Sequence, residues 1–281
     1  MSWALPALFV VLWSTGFIGA KLGLPYVEPF TFLELRFLFV IALLLPLCWL
    51  TGAPWPSRRR VVQMAVSGGL LQAGYLGGVF ASMHHGMPAG VSALVTGMQP
   101  VLTAILGGWL LQERVTARQW LGFVLGFLGV LLVVWERIRI EGLGALAVAL
   151  SVLALISITL GTLWQKRHGA GIDLRSGAAI QFVAAALILA PFMLLESRNV
   201  QWRGELVFAL AWLVLVLSLG AIFLLLHLIR KGKATQVSSL FYLVPPTTAL
   251  IAWPLFGETY SLAAAGGMAI AMLAVWLVMK P

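Results

Sequence analysis

Two charged side chains, Glu34 and Arg36, interrupt the apolar run TFLELRFLF. On a helix, a spacing of two residues directs side chains to nearly opposite sides, so these two are poor partners for each other. An ionisable group inside a membrane span indicates function by default. If the chain moves a solute together with protons, Glu34 is our first candidate carrier and Arg36 is the second coupling candidate. The alternative is that they, and Arg36 above all, snorkel to the outer membrane interface.

Prolines lie near the middle of two other apolar runs. Pro100 follows Gln99 in GVSALVTGMQPVLTAILGG, and Pro245 and Pro246 take the same place in VSSLFYLVPPTTALIAW. Proline has no N–H, so the carbonyl four residues earlier loses its helical partner. In lipid, such a carbonyl must face protein or a water-filled cavity. We therefore predict helix breaks that line a cavity and take part in gating; the alternative is a kink that neighbouring helices satisfy without any ligand.

Polar and aromatic side chains near these breaks, or along one helix face, are candidates for contact with a small molecule. Trp13, Ser14 and Phe17 share a face, and could line a pocket for a small amphipathic solute; ordinary packing is the alternative for each. The adjacent pair His84-His85 has no Cys or carboxylate at ligand spacing, so we predict no metal site and no cofactor. The candidate binding residues are Trp13, Ser14, Phe17, Tyr75, Thr96, Gln99, Trp164, Gln181 and Tyr242.

The elements that must position these side chains are apolar helices. Of 281 residues, 61% are hydrophobic and 10% are charged, whereas a soluble domain is nearer a quarter charged. Apolar runs of about twenty residues, the length that crosses a hydrocarbon core of roughly 30 Å, recur from end to end. The sequence predicts an all-α integral membrane protein whose first run, 3–24, is retained rather than cleaved as a signal peptide. A single cysteine, Cys48, excludes a disulfide framework.

The charge pattern indicates the orientation of the chain. The net charge of +9 comes from basic residues in short loops, which points to membrane orientation rather than to nucleic-acid binding. When both termini are placed in the cytoplasm, most loop arginines and lysines fall on the cytoplasmic side, and we predict that orientation. We predict ten transmembrane helices, at residues 3–24, 30–50, 61–83, 89–111, 115–135, 142–165, 175–195, 206–229, 234–256 and 261–279.

The chain also matches itself at an offset of 145 residues. Matches of Pro, Lys and Glu at one offset are informative in a composition dominated by Leu, Ala and Val. They predict two copies, at 1–138 and 139–281, with five spans each. Because five is odd, the second copy is inverted in the membrane, and transporters built in this way bind their substrate at the interface of the copies. The matching pairs include Lys21 with Lys166, Pro46 with Pro191, Pro100 with Pro245, and Glu113 with Glu258.

Three stretches carry a resemblance to a known family: WSTGFIGAKLG, LRFLF, and AGVSALVTGMQPVLTAILGGWLLQERVTARQWLGFVLGFLGV. Together with ATQVSSLFYLVPPTTALIAWPLFGETYSLAAAGGMAIAMLAV in the second copy, they resemble the EamA-type branch of the drug/metabolite transporter superfamily. The resemblance implies ten helices in two inverted repeats, and a cavity lined by helices one, three, four, six, eight and nine. It also implies export of small metabolites, often amino acids, from the bacterial cytoplasm. Glu34 departs from the small or apolar residue expected ahead of Arg36.

The leading hypothesis is a secondary transporter of the inner membrane that works by alternating access. No GxxxxGK[ST] stretch is present in the sequence, which argues against ATP drive. An intramembrane enzyme is the main alternative, but it would need an HExxH motif or paired carboxylates. A sensor or scaffold, or a channel, is a further alternative, although the loops are short. The expected partners are a small metabolite and membrane lipids, with proton coupling as an option and without nucleic acid; the oligomeric state is not predicted.

Overall fold

A computed structural model describes residues 4–103, 106, 116–221, 224 and 243–279 of the chain. All regular secondary structure in these residues is helical. In chain order, the helices are α1 (Ala4–Gly23), α2 (Pro29–Leu50), α3 (Arg58–His84), α4 (Ala89–Thr96), α5 (Ala117–Glu141), α6 (Ala145–His168), α7 (Leu174–Leu195), α8 (Gly204–Ala221), α9 (Val244–Phe256) and α10 (Leu262–Met279).

Five of these helices, α2, α3, α6, α7 and α8, are long and apolar enough to cross a membrane. Helices α1, α5, α9 and α10 contain shorter apolar stretches. Large apolar side chains also cover the outside of the bundle, and Leu195 and Leu262 are 86% and 95% exposed. Soluble monomers rarely expose large contiguous apolar surface, so this exterior suits contact with lipid.

Helices α2 and α7 lie side by side and run in opposite directions. The Glu196 carboxylate, just after α7, accepts hydrogen bonds from the backbone N–H and the hydroxyl of Thr31 at the start of α2, both at 2.7 Å. At the other end, the Ser176 hydroxyl near the start of α7 donates to the carbonyl of Pro54, which follows α2, at 2.8 Å. The first N–H groups of a helix have no partner inside the helix, so Glu196 supplies an acceptor that α2 needs. Each helix start is thereby held by the loop that leaves the other helix.

Helices α5 and α10 form a second close pair, which small residues make possible. A Cβ atom added to Gly129 would lie 2.6 Å from the carbonyl oxygen of Gly267 and 2.9 Å from the backbone nitrogen of Ala271. A Cβ atom on Gly126 would lie 3.3 Å from the Cβ of Ala274. The two backbones therefore approach as closely as glycine-containing membrane helices do.

Two helices contain π-helical segments, which are rare and often occur at functional sites. In α3 the segment is Gly69–Gly74, and in α8 it is Trp212–Ala221. At the offset of 145 residues, 69–74 corresponds to 214–219, so the two segments overlap in the alignment of the copies. Periodicity analysis did not predict either of them.

Most buried apolar side chains of the described residues fall in two large clusters, and Met64, Ile172 and Ile180 form a small third one. The first lies mainly among α1, α2, α3, α7 and α8, where Phe32 and Phe80 meet edge to face with ring centres 5.3 Å apart. The second lies among α4, α5, α6, α9 and α10 and includes Val91, Val133 and Met268.

Candidate functional site

Arg36 is buried in the bundle, with only 6% of its surface exposed. Its Nε and Nη2 atoms donate to the Ser218 hydroxyl of α8 at 3.2 and 3.1 Å. The Ser218 hydroxyl in turn donates to the carbonyl of Leu213 at 2.9 Å, a contact across five residues of the π-helical segment. The guanidinium therefore points into the bundle rather than to the membrane interface.

Two aromatic residues complete this group. Tyr75, the residue directly after the π-helical segment of α3, is 7% exposed and interacts electrostatically with Arg36. Trp13 of α1 interacts with the Tyr75 hydroxyl. We call Trp13, Arg36, Tyr75 and Ser218 the Arg36 cluster. It brings together three residues named from the sequence and one that sequence analysis did not find.

Glu34 is separate from this cluster. Its side chain is buried, and its Oε2 atom has no hydrogen-bond partner in the described part of the chain. It forms no ion pair with a basic residue among the described residues. A buried carboxylate without a partner is costly in its charged form. The protonation state of Glu34 therefore depends on whether water or a polar group can reach its carboxyl group.

The helix break in α4 lies just before Pro100. Helix α4 ends at Thr96, residues 97 and 98 form a turn, and residues 99–103 are helical again. Pro100 is thus in the first turn of a helical stretch, where its missing N–H removes no hydrogen bond. Pro245 and Pro246 occupy the first turn of α9. The Thr96 hydroxyl donates back to carbonyls of its own helix.

Helices α4 and α9 approach one another at these prolines, and α1 lies beside them. A Cβ atom on Gly97 would be 2.9 Å from Cγ of Pro245, so the two segments touch. The Ser14 hydroxyl of α1 donates to the carbonyl of Val10 at 2.7 Å, and the carbonyl of Val244 lies 3.4 Å from it. Ser14 therefore contacts the residue that precedes the two prolines of α9.

The remaining polar candidates converge on α6. The Gln99 amide donates to the Thr162 hydroxyl at 2.8 Å, and the Gln181 amide of α7 donates to the Gln165 side chain at 3.2 Å. The Trp164 indole donates to a backbone carbonyl of α3 at 2.9 Å. These bonds join α6 to α3, to α7 and to the broken segment after α4.

Two sequence candidates contribute no polar contact that can be described. Phe17 packs in the first apolar cluster, and Tyr242 lies outside the described residues. Glu113, which the repeat offset relates to Glu258, also lies outside them. Sequence reasoning missed Ser218 and Thr162. Ser218 is a lone hydroxyl in an apolar run, and its counterpart at the repeat offset is Ala73, so the duplication offered no signal for it.

Glu258, at the end of α9, is the centre of a second polar group. Its carboxylate pairs with Lys21 of α1 and accepts hydrogen bonds from the N–H groups of Ala89 and Gly90 at 2.8 and 3.3 Å and from the Tyr260 hydroxyl at 2.6 Å. We call these five residues the Glu258 cluster. It ties the ends of α1 and α9 to the start of α4, where a negative charge also complements the helix dipole.

The charge of Glu258 is stabilised by these contacts. Burial raises the pKa of its carboxyl group, but hydrogen bonds from Lys21, Tyr260 and the Ala89 N–H together outweigh burial, and the pKa lies below its ordinary value of 4.5. Glu258 is therefore ionised at neutral pH.

A pocket of about 770 Å³ opens near the same end, between the end of α1 and the start of α8. It is lined by Leu22, Tyr26, Gln201, Arg203, Gly204, Glu205 and Phe208, and none of the residues predicted as a site lies in it. Over the described ranges, no group of three His, Cys, Asp or Glu side chains is arranged to hold a metal ion.

Comparison with known proteins decides the family. The sequence model of the EamA-like transporter family matches the chain twice, over residues 1–135 and 145–280. The chain belongs to the EamA-like transporter family. It is accordingly a multi-pass integral membrane protein and a membrane transporter, and its family points away from enzymes.

The chain is similar to several transporters at low identity. An uncharacterised transporter of Bacillus subtilis, YvbV, is 24% identical over 97% of this chain and 89% of its own length. The uncharacterised inner membrane transporter YedA of Escherichia coli K12 is 26% identical over 92% of this chain and 83% of its own length. A probable amino-acid metabolite efflux pump of Salmonella typhimurium is 24% identical over 97% of this chain and 93% of its own length.

A solved structure shares the fold. A crystal structure that is 20% identical in sequence superposes with a TM-score of 0.66 over 98% of this chain and 95% of its own chain. At this identity the likeness establishes the fold alone.

Proposed function

We propose that this EamA-family transporter is a secondary transporter that exports small organic metabolites, such as amino acids or related compounds, by alternating access. The observation that carries the proposal is the contact between the proline-containing segments of α4 and α9 beside α1. Interrupted helices that meet inside a membrane bundle are typical of transporter substrate sites. The name of the Salmonella typhimurium relative supports amino-acid metabolites as the substrate class.

We further propose ten transmembrane helices in two inverted five-helix repeats, at 1–138 and 139–281. Three observations support this arrangement. The family model matches two segments of similar length. Helices α2 and α7, which correspond at the repeat offset, run antiparallel with reciprocal loop contacts. The repeat offset relates Gly126 to Ala271 and Gly129 to Ala274. The contact of Gly126 with Ala274 therefore corresponds to the contact of Gly129 with Ala271, and a two-fold relation requires that both be present.

In this proposal, the Glu258 cluster closes the outer end of the transport path, and both chain termini are cytoplasmic. The repeat offset relates Lys21 and Glu258 to Lys166 and Glu113, so an equivalent pair can close the cytoplasmic end in the other state. Lys166 is exposed near the end of α6, and Glu113 lies outside the described residues. Alternation then exchanges one ion pair for the other, which keeps the two states similar in energy.

Glu34 is the proposed site of proton coupling. It is a buried carboxylate whose Oε2 atom has no partner among the described residues, so protonation relieves a desolvation penalty. A proton that binds at Glu34 in one state and leaves in the other links solute flux to the pH gradient.

Flux through proteoliposomes tests the proposal. Purified protein is reconstituted, and radiolabelled amino acids and amines are offered with and without an imposed pH gradient. Gradient-dependent movement of at least one solute, lost when Pro100 and Pro245 are both replaced by alanine, is the expected result. A matched control replaces Pro54, an exposed loop proline between α2 and α3. Turnover of a lipid or peptide without movement of any solute would favour the enzyme, and binding without flux would favour a sensor.

A further inference from the structure

We propose that the Arg36 cluster is a binding subsite for the carboxylate group of the transported solute. The inference rests on the proposed function, because it names the chemical class that the transporter moves. Its basis is the contacts of Arg36, and it does not depend on the identity of any relative.

The charge of Arg36 favours an anionic ligand. Arg36 keeps its positive charge, because the guanidinium group of arginine is not deprotonated in proteins. Burying a charge without an opposite charge is costly, and buried ions are normally paired. Within the described ranges, Arg36 has one hydrogen-bonding partner, the neutral hydroxyl of Ser218, and no carboxylate. Glu34 cannot serve, because it projects from the other side of α2. An anionic ligand would supply the missing charge.

The geometry of the guanidinium favours a carboxylate. Ser218 takes the edge formed by Nε and Nη2. The other edge, formed by Nη1 and Nη2, carries two parallel N–H groups, and Nη1 donates to no side chain in the described part of the protein. Two parallel N–H groups match the two oxygens of a carboxylate. Because the Ser218 proton is committed to Leu213, the hydroxyl lone pairs face Arg36 and hold the guanidinium in place.

The residues around Arg36 also suit an anionic ligand. Tyr75 interacts with Arg36, and its hydroxyl has a proton that it can donate to an anion beside the guanidinium. Tyr75 directly follows one π-helical segment, and Ser218 lies within the other. One neighbour of Arg36 therefore lies within a π-helical segment and the other directly after one, and such segments are frequent at functional sites.

The cluster favours a monoanion. It contains one cation, the Arg36 guanidinium, which is buried in the bundle. A phosphate group, which carries up to two negative charges near neutral pH, would leave net negative charge in a desolvated site. A carboxylate balances the single guanidinium and accepts its two-pronged hydrogen bonds.

Ligand-induced stabilisation of the detergent-purified full chain tests the assignment without any need for flux. The probes are neutral L-amino acids, each paired with its own amide, which keeps the side chain and the amine but has no carboxylate. Amino acids that raise the unfolding temperature of the wild type are expected to do so at concentrations at least tenfold lower than their amides. Arg36→Gln should remove this difference. Arg59→Gln, at an exposed arginine in the first turn of α3, is the matched control and should retain it.

Arg36→Lys keeps the assignment testable if Arg36→Gln does not fold. Lysine retains the charge but lacks the two-pronged donor geometry, so we expect about tenfold weaker binding of the amino acid. Equal stabilisation by acids and amides, unchanged affinity in folded Arg36→Lys, or no stabilisation by any probe would overturn the assignment.

Flux measurements separate this inference from the proposed function. If wild-type proteoliposomes move amines that have no carboxylate as well as they move amino acids, and Arg36→Lys leaves the KM unchanged, the carboxylate subsite is wrong and the transporter stands. If no solute moves but amino acids still bind in an Arg36-dependent way, transport is wrong and the subsite stands.

Discussion

Replacement of Glu258 by glutamine should loosen the proposed outer closure. The Glu258 side chain is 5% exposed and holds Lys21, the N-terminus of α4 and Tyr260 at once. Glutamine keeps the shape but removes the charge, so every hydrogen bond that the carboxylate accepted becomes weaker. Breaking a fully buried ion pair costs about 3–5 kcal/mol. Because Lys21 is 30% exposed and is partly hydrated without its partner, we expect about 2–3 kcal/mol here.

Such a loss has two measurable consequences. A cost of about 2–3 kcal/mol corresponds to a change of roughly 30- to 150-fold in the closed-to-open ratio. Ser92, which is fully buried one turn into α4, can report this opening as Ser92→Cys in a background where Cys48 is replaced by alanine. Reaction of this thiol with a membrane-impermeant reagent should be faster by that factor in Glu258→Gln. The free energy of unfolding, from titration with sodium dodecyl sulfate, should fall in parallel.

The pH dependence has a definite sign. Because the folded pKa of Glu258 is lowered, its stabilisation is present above the ordinary value of 4.5 and is lost as the pH falls through the lower folded pKa. The wild type should therefore lose stability at acidic pH more steeply than Glu258→Gln.

Matched variants make the result interpretable. Glu205→Gln removes an exposed acid in the first turn of α8 and should change neither measurement. In a double-mutant cycle, Lys21→Met should have a smaller effect in Glu258→Gln than in the wild type. Lower stability together with an unchanged labelling rate would refute the gate and leave a purely structural contact. No change in either measurement would refute the energetic reasoning as well.

Three further outcomes are expected. Gly129→Ala should destabilise the protein by about 1–3 kcal/mol in thermal or detergent unfolding, because the new Cβ meets the backbone of α10. Gly266→Ala is the control and should be neutral or stabilising, because nothing lies within 4 Å of a Cβ atom there. Equal effects of the two substitutions would contradict the close packing of α5 and α10. Pro100→Ala should slow flux in proteoliposomes more than it lowers the unfolding temperature, and unchanged flux would remove Pro100 from the mechanism. Glu34→Gln should abolish stimulation of flux by a pH gradient while uptake driven by the solute gradient persists, and surviving stimulation would exclude Glu34 as the proton carrier.

Much of the architecture could be predicted from the sequence, because the signal for membrane helices is strong and repetitive. Apolar runs long enough to cross a bilayer predicted an all-helical membrane protein, and the described helices confirm that description. The motifs around Gly16 and Pro100 predicted the family, and the family match confirms it. The ten-span count, the inversion and the roles of the site residues remain predictions, to be tested by the experiments above.

The site was less accessible to prediction, because its contacts depend on backbone irregularities and on neighbours remote in sequence. The Ser218 hydroxyl reaches Leu213 across five residues, a contact of a π-helical segment that helical periodicity does not encode. Lys21 and Glu258 lie 237 residues apart, and the sequence identified them as repeat-matched positions without indicating that they pair with each other. The sequence did single out Trp13, Arg36 and Tyr75 separately, since each is a large polar or aromatic side chain in an apolar run.

In the proposed mechanism, divergence between the two copies would let a duplicated frame bind an asymmetric molecule. At the offset of 145 residues, every member of the Arg36 cluster aligns with a residue of different chemistry, and none of these counterparts is charged. The aligned pairs are Trp13 with Ile158, Arg36 with Gln181, Tyr75 with Gly220, and Ser218 with Ala73. Gln181 satisfies its amide with Gln165 and needs no ligand, whereas Arg36 has only a neutral hydroxyl. A second buried cation would add a second desolvation penalty and bind a solute equally well in two orientations. With a single cation, the proposed subsite would give a solute carboxylate one preferred place. The backbone symmetry that the proposed alternation requires would then be compatible with side chains that orient the solute, because the symmetry concerns the backbone and the orientation concerns the side chains.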